Sequence, residues 1–348
     1  MKGPTITIGR PIGADHPPFV IAELSANHLG SLDRAHAIIE AAAAAGCDAV
    51  KLQTFTPSAM TLASPGGDFH IADGPWQGRS LWDLYDEAHT PWDWHPQLFA
   101  HGAACGLVVF STPFDEDAVE RLDRLGAPAF KIASFELVDL ELIACAARTG
   151  KPMILSTGMA SDDEIVEAVD TARRHGAGGI ALLHCVSGYP TPIEQSNLRR
   201  LDALARHDTV IGISDHSPGA VVPTAAVARG ATIIEKHLTL ARADGGPDAG
   251  FSLEPAEMAE VVRGARLAFL ALGDGGSQRP AAEVGSRRFR RSLYAVEDIA
   301  PGQPLTRGNV RSIRPGFGLP PRELPAVLGR RARTAIVRGT ALAWEMIE

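Results

Sequence analysis

The chain has 348 residues, 45% hydrophobic and 21% charged, which excludes a disordered or fibrous protein. No uninterrupted apolar stretch is long enough to cross a bilayer, and the N-terminus lacks the basic and apolar segments of a signal peptide. We therefore expect a cytoplasmic protein that binds no membrane. Its four cysteines lie far apart in the chain, which indicates reduced thiols instead of disulfides or a zinc site: Cys47, Cys105, Cys145 and Cys185.

Eight short apolar runs rich in β-branched residues recur through the first three quarters of the chain. Most are followed by a stretch of helical period, such as LDRAHAIIEAAAAAG. This alternation predicts an α/β fold with a closed (β/α)8 TIM barrel. A doubly wound sheet is the alternative, but the first run lacks a GxGxxG turn. In chain order the runs are FVIAEL, DAVKLQT, LVVFSTP, AFKIAS, PMILSTG, IALLHCV, TVIGISDH and TIIEKHLTL.

The charge divides the chain into two parts. Residues 287–348 contain twelve arginines and five acidic residues, a net charge of +7, whereas residues 1–286 carry −15. The glycine-rich segment GDGGSQRPAAEVGSRR between them is typical of a linker. We predict a barrel over 1–275, a linker over 276–290 and a small domain over 291–348. Its arginines are dispersed among apolar and turn residues, which favours a module docked on an acidic partner domain over nucleic-acid binding.

One interval between strands is too long for a simple connection. It follows the second run and holds four of the five tryptophans: Trp76, Trp82, Trp92 and Trp94. Such an insert can form a lid or a wall of a binding site, or it can pack over the outside of the barrel. The sequence leaves both interpretations open.

Polar and charged residues appear where each apolar run ends. The C-terminal rim of a barrel is where its enzymes hold their chemistry, and buried charges are costly unless paired. We therefore predict one site built from eight strand ends. These supply Glu23, Ser25, Asn27 and His28; Lys51 and Gln53; Ser111 and Thr112; Lys131, Ser134 and Glu136; Ser156 and Thr157; His184, Ser187 and Tyr189; Ser214, Asp215 and His216; and Glu235, Lys236 and His237.

Three groups within this rim indicate different chemistry. Lys51 and Lys131, together with the hydroxyls of Thr112, Ser134, Ser156 and Ser214, suit a phosphate or carboxylate. Purely structural ion pairs with Glu23, Glu136 or Glu235 are the alternative. His216 and His237 close adjacent strands and suit a transition metal. Glu23, Glu136, Glu235 and Asp248 can act as general acids, bases or stabilisers of a cation. Cys185 lies inside an apolar strand, where we expect it only to pack.

An ordered series of motifs resembles the sialic acid synthase family of phosphoenolpyruvate-condensing enzymes. The resemblance runs from about residue 18 to the end, where SIRPGFGLPP is similar to the antifreeze-like (SAF) domain that closes those enzymes. The barrel motifs are IAELSANHLG, DAVKLQTF, FSTPFD, FKIASFE, ILSTGMAS, HCVSGYPTP, IGISDHS, IEKHLTL and GPDAGFSLEP.

The resemblance implies a role for each matching residue. Phosphoenolpyruvate would bind at Lys51, Thr112, Lys131, Ser134, Ser156 and Ser214. A divalent metal (Mn²⁺, Mg²⁺ or Co²⁺) on His216 and His237 would polarise the aldehyde of an open-chain acetamido sugar. Glu23 would assist the attack of water or stabilise the cation, and Glu136, Asp248 and Tyr189 would face the sugar. Glu235 is predicted as a catalytic residue and Ser187 as a substrate-binding residue from their positions on the rim. Arg314 would reach the barrel of a second subunit, which implies a domain-swapped homodimer.

Within the family, the tryptophan-rich insert and GPDAGFSLEP are most similar to the branch that uses 2,4-diacetamido-2,4,6-trideoxy-L-altrose. Synthesis of N-acetylneuraminate or legionaminate is the first alternative. A metal-dependent aldolase that uses pyruvate, and a carbohydrate- or nucleic-acid-binding protein that uses the basic C-terminal part, are the others.

Overall fold

The computed structural model describes residues 3–64, 66–278 and 280–348, so that Met1, Lys2, Pro65 and Arg279, which fall within the predicted barrel and linker, lie outside it. Eight parallel strands close into a barrel in the order β10-β3-β4-β5-β6-β7-β8-β9. The predicted TIM barrel is thereby confirmed. A preceding hairpin consists of β1 (Thr5–Ile8) and β2 (Arg10–Gly13). The barrel strands are β3 (Phe19–Glu23), β4 (Ala49–Thr54), β5 (Val108–Pro113), β6 (Phe130–Ile132), β7 (Met153–Ser156), β8 (Ile180–Cys185), β9 (Val210–Ser214) and β10 (Ile233–His237).

Helices follow most strands and cover the outside of the barrel. Local sequence explains where several begin and end: the Ser31 hydroxyl caps α1 by accepting from Arg34 N, and Gly46 ends it at φ +85°. Ser161 and Glu164 form a capping box at the start of α7. The helices are α1 (Leu32–Ala45), α2 (Pro57–Met60), α3 (Leu81–Ala88), α4 (His95–Ala104), α5 (Glu116–Leu125), α6 (Leu140–Arg148), α7 (Asp162–Arg174), α8 (Arg200–Leu204), α9 (Val221–Ala228) and α10 (Pro255–Leu272).

The hairpin closes the N-terminal end of the barrel. Its buried residues Ile6, Ile8 and Ile12 belong to the same apolar cluster as Phe19 and Ile233, which begin their strands. Because apolar side chains fill this end, the charged side chains of the barrel interior are confined to the C-terminal end. No helix within the described residues is long and apolar enough to cross a membrane.

The chain divides into two compact units, Met1–Gly273 and Asp274–Glu348. In the second, β11 (Ser292–Ala295) and β12 (Val310–Ile313) pair antiparallel, with α12 (Leu324–Val327) beside a small core that includes Leu293, Leu305 and Leu342. The segment predicted as a linker contains a short helix, α11 (Ala281–Val284), and a 3-10 turn (Gly285–Phe289).

Candidate active site

A buried ion cluster occupies the barrel interior: Glu23 is the last residue of β3, whereas Lys51, Lys131 and Glu235 lie within β4, β6 and β10. Lys51 Nζ lies 2.7 Å from Glu23 Oε2 and 3.9 Å from Glu235 Oε2, while Lys131 Nζ lies 3.7 Å from Glu235 Oε1. Each of the four residues is at most 4% exposed. The register pairs Glu23 of β3 with Lys51 of β4, so that both project into the barrel. The lysines do form ion pairs with Glu23 and Glu235, as the purely structural interpretation expects. Hydroxyl groups also lie around the cluster, as the interpretation of an anion-binding site expects.

These hydroxyls come from five strand ends. Lys51 Nζ donates to Thr112 Oγ1 at 2.9 Å, and Ser214 Oγ donates to Glu235 Oε1 at 2.9 Å. The Ser156 hydroxyl is buried and has no hydrogen-bond partner among the described residues, whereas Ser187 interacts with Tyr189. Buried polar groups without partners are unusual in folded proteins, so the Ser156 hydroxyl is available to a ligand.

Gly158 allows Ser134 and Ser187 to approach each other, a role that the sequence analysis missed. Its backbone N–H donates to Ser134 Oγ at 3.1 Å, and a Cβ at this position would clash with the Ser134 and Ser187 hydroxyls. No side chain marks this requirement in the sequence. The glycine within ILSTGMAS was the available signal.

Burial and neighbouring charges shift the pKa values of the ion cluster in different directions. Burial raises the pKa of Glu23 to about 7, against the opposing charge of Lys51. For Glu235, burial is outweighed by Lys131 and Lys51, and its pKa falls. Burial lowers the pKa of Lys131, whereas Glu23 and Glu235 outweigh burial and raise that of Lys51. Of the two carboxyls in the ion cluster, Glu23 is therefore the one that can exchange a proton near neutral pH.

Two imidazoles stand beside the ion cluster, with ring centroids 5.4 Å apart. His216 Nδ1 lies 3.0 Å from the Val186 carbonyl oxygen, which can only accept; the hydrogen is therefore on Nδ1, and Nε2 of the neutral ring carries a lone pair. His237 Nδ1 is buried and has no hydrogen-bond partner among the described residues. Burial, together with the nearby charge of His216, holds the pKa of His237 well below its usual range. Against burial, Cys185 and the Val186 carbonyl raise the pKa of His216, so a divalent metal would compete with a proton for its Nε2. The unpartnered nitrogen of neutral His237 fits a metal directly.

Within the described residues, no group of three or more histidine, cysteine, aspartate or glutamate side chains is arranged to hold a metal. A metal on the two histidines would therefore need other ligands from water or substrate. Cys185 is buried, as expected, and against burial the neighbouring His216 and Ser134 lower the pKa of its thiol. The thiol faces the site because β8 ends at Cys185, in register with Ser214 of β9.

A cavity of about 400 Å³ opens above these groups. Tyr189, Glu136, Asp248 and His237 line it, so that four predicted site residues share one space. The Tyr189 ring lies 4.3 Å from that of His216. Burial raises the pKa of Glu136 to about 7 and also raises that of Asp248, against a hydrogen bond from Ser25.

Ser25 and Gln53 connect the cavity to the ion cluster. The Ser25 hydroxyl donates to Asp248 Oδ2, and Gln53 Nε2 donates to Ser25 Oγ at 2.9 Å and to Glu23 Oε1 at 3.2 Å. Both residues were recognised at strand ends, but no role was assigned to them. Their role depends on contacts between distant parts of the chain, which strand patterns do not reveal.

Arg314 belongs to the second unit, where it is exposed and directly follows β12. The other predicted site residues belong to the barrel unit.

Known proteins are similar to this chain along nearly its whole length. A model of the NeuB family matches residues 38–277, and a model of the SAF domain matches residues 290–348. The pseudaminic acid synthase of Campylobacter jejuni is 42% identical, with 94% of this chain and 96% of that protein covered. The pseudaminic acid synthase of Helicobacter pylori is 41% identical, with 95% and 98% covered.

One solved structure extends the comparison to the fold. The N-acetylneuraminic acid synthetase from Leptospira borgpetersenii, in complex with citrate, has a TM-score of 0.74 and 33% identity. It covers 82% of this chain and 95% of its own.

Proposed function

The chain belongs to the NeuB family, and on that premise we propose that it condenses phosphoenolpyruvate with 2,4-diacetamido-2,4,6-trideoxy-L-altrose and water. The products are pseudaminic acid and phosphate, which makes the enzyme a transferase. One observation carries the proposal. In a chain 42% identical to a pseudaminic acid synthase, a buried cluster of two lysines and two glutamates lies beside a pair of imidazoles, of which His237 lines a cavity together with Glu136 and Asp248.

Phosphoenolpyruvate binds deepest, at the ion cluster. Lys51 and Lys131 contact its anionic groups, and hydroxyls, including the Ser156 hydroxyl that has no partner among the described residues, complete the hydrogen bonds. The full set of binding residues is Lys51, Thr112, Lys131, Ser134, Ser156, Ser187 and Ser214.

His216 and His237 hold a divalent metal, Mn²⁺, Mg²⁺ or Co²⁺. The unpartnered buried nitrogen of His237 supports this assignment, and the His216 ring lies 5.4 Å away, centroid to centroid. When bound, the ion polarises the aldehyde oxygen of the open-chain sugar and orients the aldehyde. The Val186 carbonyl keeps the His216 ring in the required tautomer.

Carboxylates guide the remaining chemistry. The enol carbon of phosphoenolpyruvate bonds to the aldehyde carbon, and the aldehyde oxygen gains a proton. Water adds to the cationic carbon that results, and the bond from that carbon to the phosphate oxygen breaks. Glu23 and Glu235 stabilise the cation, with Glu23 accepting the proton of the water. Glu136, Asp248 and Tyr189 orient the sugar.

The assembly and cellular site follow from the same premise. We propose a domain-swapped homodimer in which Arg314 reaches the sugar in the partner barrel. The charge difference between residues 287–348 and the rest favours such docking electrostatically. Four free cysteines suit the reducing cytoplasm, where we place the enzyme, without nucleic acid or membrane as a partner.

A panel of three sugars tests the reaction. The chain is incubated with phosphoenolpyruvate and the altrose-configured diacetamido sugar, the mannose-configured N-acetyl sugar or the legionaminate precursor, and products are identified by mass. Turnover with the first sugar and release of phosphate are expected. Phosphoenolpyruvate with heavy oxygen at the bridging position should yield labelled phosphate. Turnover only with another sugar would overturn the sugar assignment. Product formed when pyruvate replaces phosphoenolpyruvate, without release of phosphate, would indicate an aldolase.

A further inference from the structure

The segment that separates β4 from α4, residues 55–94 (the insert), builds much of the wall of the cavity. Its contribution is almost entirely carbon. The carboxyl and imidazole groups of the cavity, Glu136, Asp248 and His237, come instead from segments outside the insert, which also supply Phe114, Phe135 and Phe251. The insert therefore contributes mainly apolar surface, and the carboxyl and imidazole groups lie outside it. The apolar lining residues of the insert include Met60, Ile71, Trp76, Leu81 and Leu84.

Ring contacts relate the insert to the metal-binding histidines. The Trp76 ring lies 5.7 Å from that of Tyr189 and 6.4 Å from that of Phe251. Those two rings in turn lie 4.3 Å from His216 and 5.0 Å from His237, respectively. A single layer of aromatic rings, Tyr189 and Phe251, therefore separates Trp76 of the insert from the two imidazoles. A sugar whose aldehyde lies at the imidazoles directs its far end toward the insert.

The apolar wall is held in place before any ligand binds. Trp76 Nε1 donates to the Pro247 carbonyl oxygen at 2.8 Å, which joins the insert to the loop that carries Asp248. The Ser80 hydroxyl caps α3 by accepting from Asp83 N at 3.0 Å. Leu84, on the inner face of α3, is 7% exposed. A preformed apolar surface selects ligands by their shape and polarity.

Resting on the proposed function, we propose that the insert is the specificity subsite for the methyl-bearing end of the sugar, the C6 methyl group and the acetamido methyl at C4. Those carbons are the most remote from the aldehyde. A hydroxyl at C6 would face Ile71 and Leu81 instead of water. Apolar pockets discriminate against an added hydroxyl on the order of a hundredfold. The enzyme therefore prefers a 6-deoxy sugar to its 6-hydroxy counterpart.

The test uses two sugars that differ only in bearing CH3 or CH2OH at C5. The measured quantity is kcat/KM for the CH3 sugar divided by kcat/KM for the CH2OH sugar, both determined on one enzyme preparation. This ratio does not depend on the fraction of active protein. Leu81→Asn should lower the ratio at least about tenfold. Leu62→Asn is the matched control, since Leu62 is in the insert, 64% exposed, and does not line the cavity. Its ratio should equal that of the wild type.

Two outcomes separate this inference from the proposed function. If the wild type releases phosphate with the methyl-bearing sugar but Leu81→Asn keeps the wild-type ratio, the specificity inference is wrong and the reaction stands. If the wild type uses neither sugar, the proposed function fails and the inference fails with it. Should Leu81→Asn not accumulate, Ile71→Asn provides the same comparison, because Ile71 also lines the cavity.

Discussion

Lys51 Nζ lies 2.7 Å from Glu23 Oε2 in the barrel interior, and both side chains are almost completely buried. The two residues are register partners on adjacent strands. The two opposite charges stabilise each other in a buried site that water does not solvate. Removing one therefore leaves the other as an unpaired charge in the low-dielectric interior, which is energetically unfavourable. The ion pair therefore contributes to folding as well as to the proposed anion site.

The Lys51→Met variant should unfold more easily than the wild type. We expect its free energy of unfolding to fall by about 3–5 kcal/mol, because Glu23 and Glu235 lose their shared cation. Urea denaturation measures this change. Lys151→Met is the matched control: Lys151 pairs with Asp123 at a partly exposed site, and its loss should cost at most about 1 kcal/mol. The double variant Lys51→Met/Glu23→Gln should regain part of the loss. Equal stabilities of wild type and Lys51→Met would contradict the interpretation.

Lys131→Ala should affect phosphoenolpyruvate more than folding. Its Nζ is farther from Glu235 than Lys51 Nζ is from Glu23, and it donates to the Ile132 carbonyl at 3.2 Å. Loss of a charge-assisted contact should raise the KM for phosphoenolpyruvate about tenfold or more, with little change in the KM for the sugar. Steady-state kinetics with each substrate varied in turn provides the measurement. An unchanged KM for phosphoenolpyruvate would place the anion elsewhere.

His237→Ala should weaken metal binding. The variant loses a buried imidazole whose Nδ1 has no hydrogen-bond partner among the described residues. We expect the affinity for Mn²⁺ to fall by more than about tenfold, measured by calorimetric titration without substrates. His175→Ala, an exposed histidine just after α7, is the matched control and should bind as the wild type does. Equal Mn²⁺ affinities for His237→Ala and wild type would remove His237 from the metal site.

Glu136→Gln should change how stability depends on pH. Burial raises the pKa of Glu136 to about 7 from 4.5. Between these values the folded state retains a proton that the unfolded state has released, so the free energy of unfolding of the wild type decreases as pH rises. Glutamine does not ionise. Relative to wild type, the variant should therefore be more stable near pH 8 than near pH 5, by about 1–3 kcal/mol.

Thermal denaturation at several pH values measures this difference. Glu120→Gln, an exposed residue of α5, is the matched control for loss of a carboxylate. The interpretation is wrong if the difference in Tm between Glu136→Gln and wild type is the same at pH 5 and pH 8.

The insert shows where sequence patterns stopped being informative. Four tryptophans indicated either a binding wall or packing, and the fold contains both. Trp76 lines the cavity, whereas Arg121 stacks over Trp92 at 4.5 Å, and Trp94 lies edge-on to His28 at 5.4 Å. The three side chains are all tryptophans, but they contact different neighbours. Only their places in the tertiary structure distinguish them.

The sequence by itself determined the barrel and the polar rim, because hydrophobic periodicity and strand-end polarity are local properties of the chain. It placed Lys51, Lys131, His216 and His237 at strand ends. Only the tertiary structure decided that Glu23 pairs with Lys51, that Cys185 meets His216, and that Gly158 admits two hydroxyls. These contacts depend on strand register and barrel closure, which arise from residues far apart in the chain and leave no local pattern.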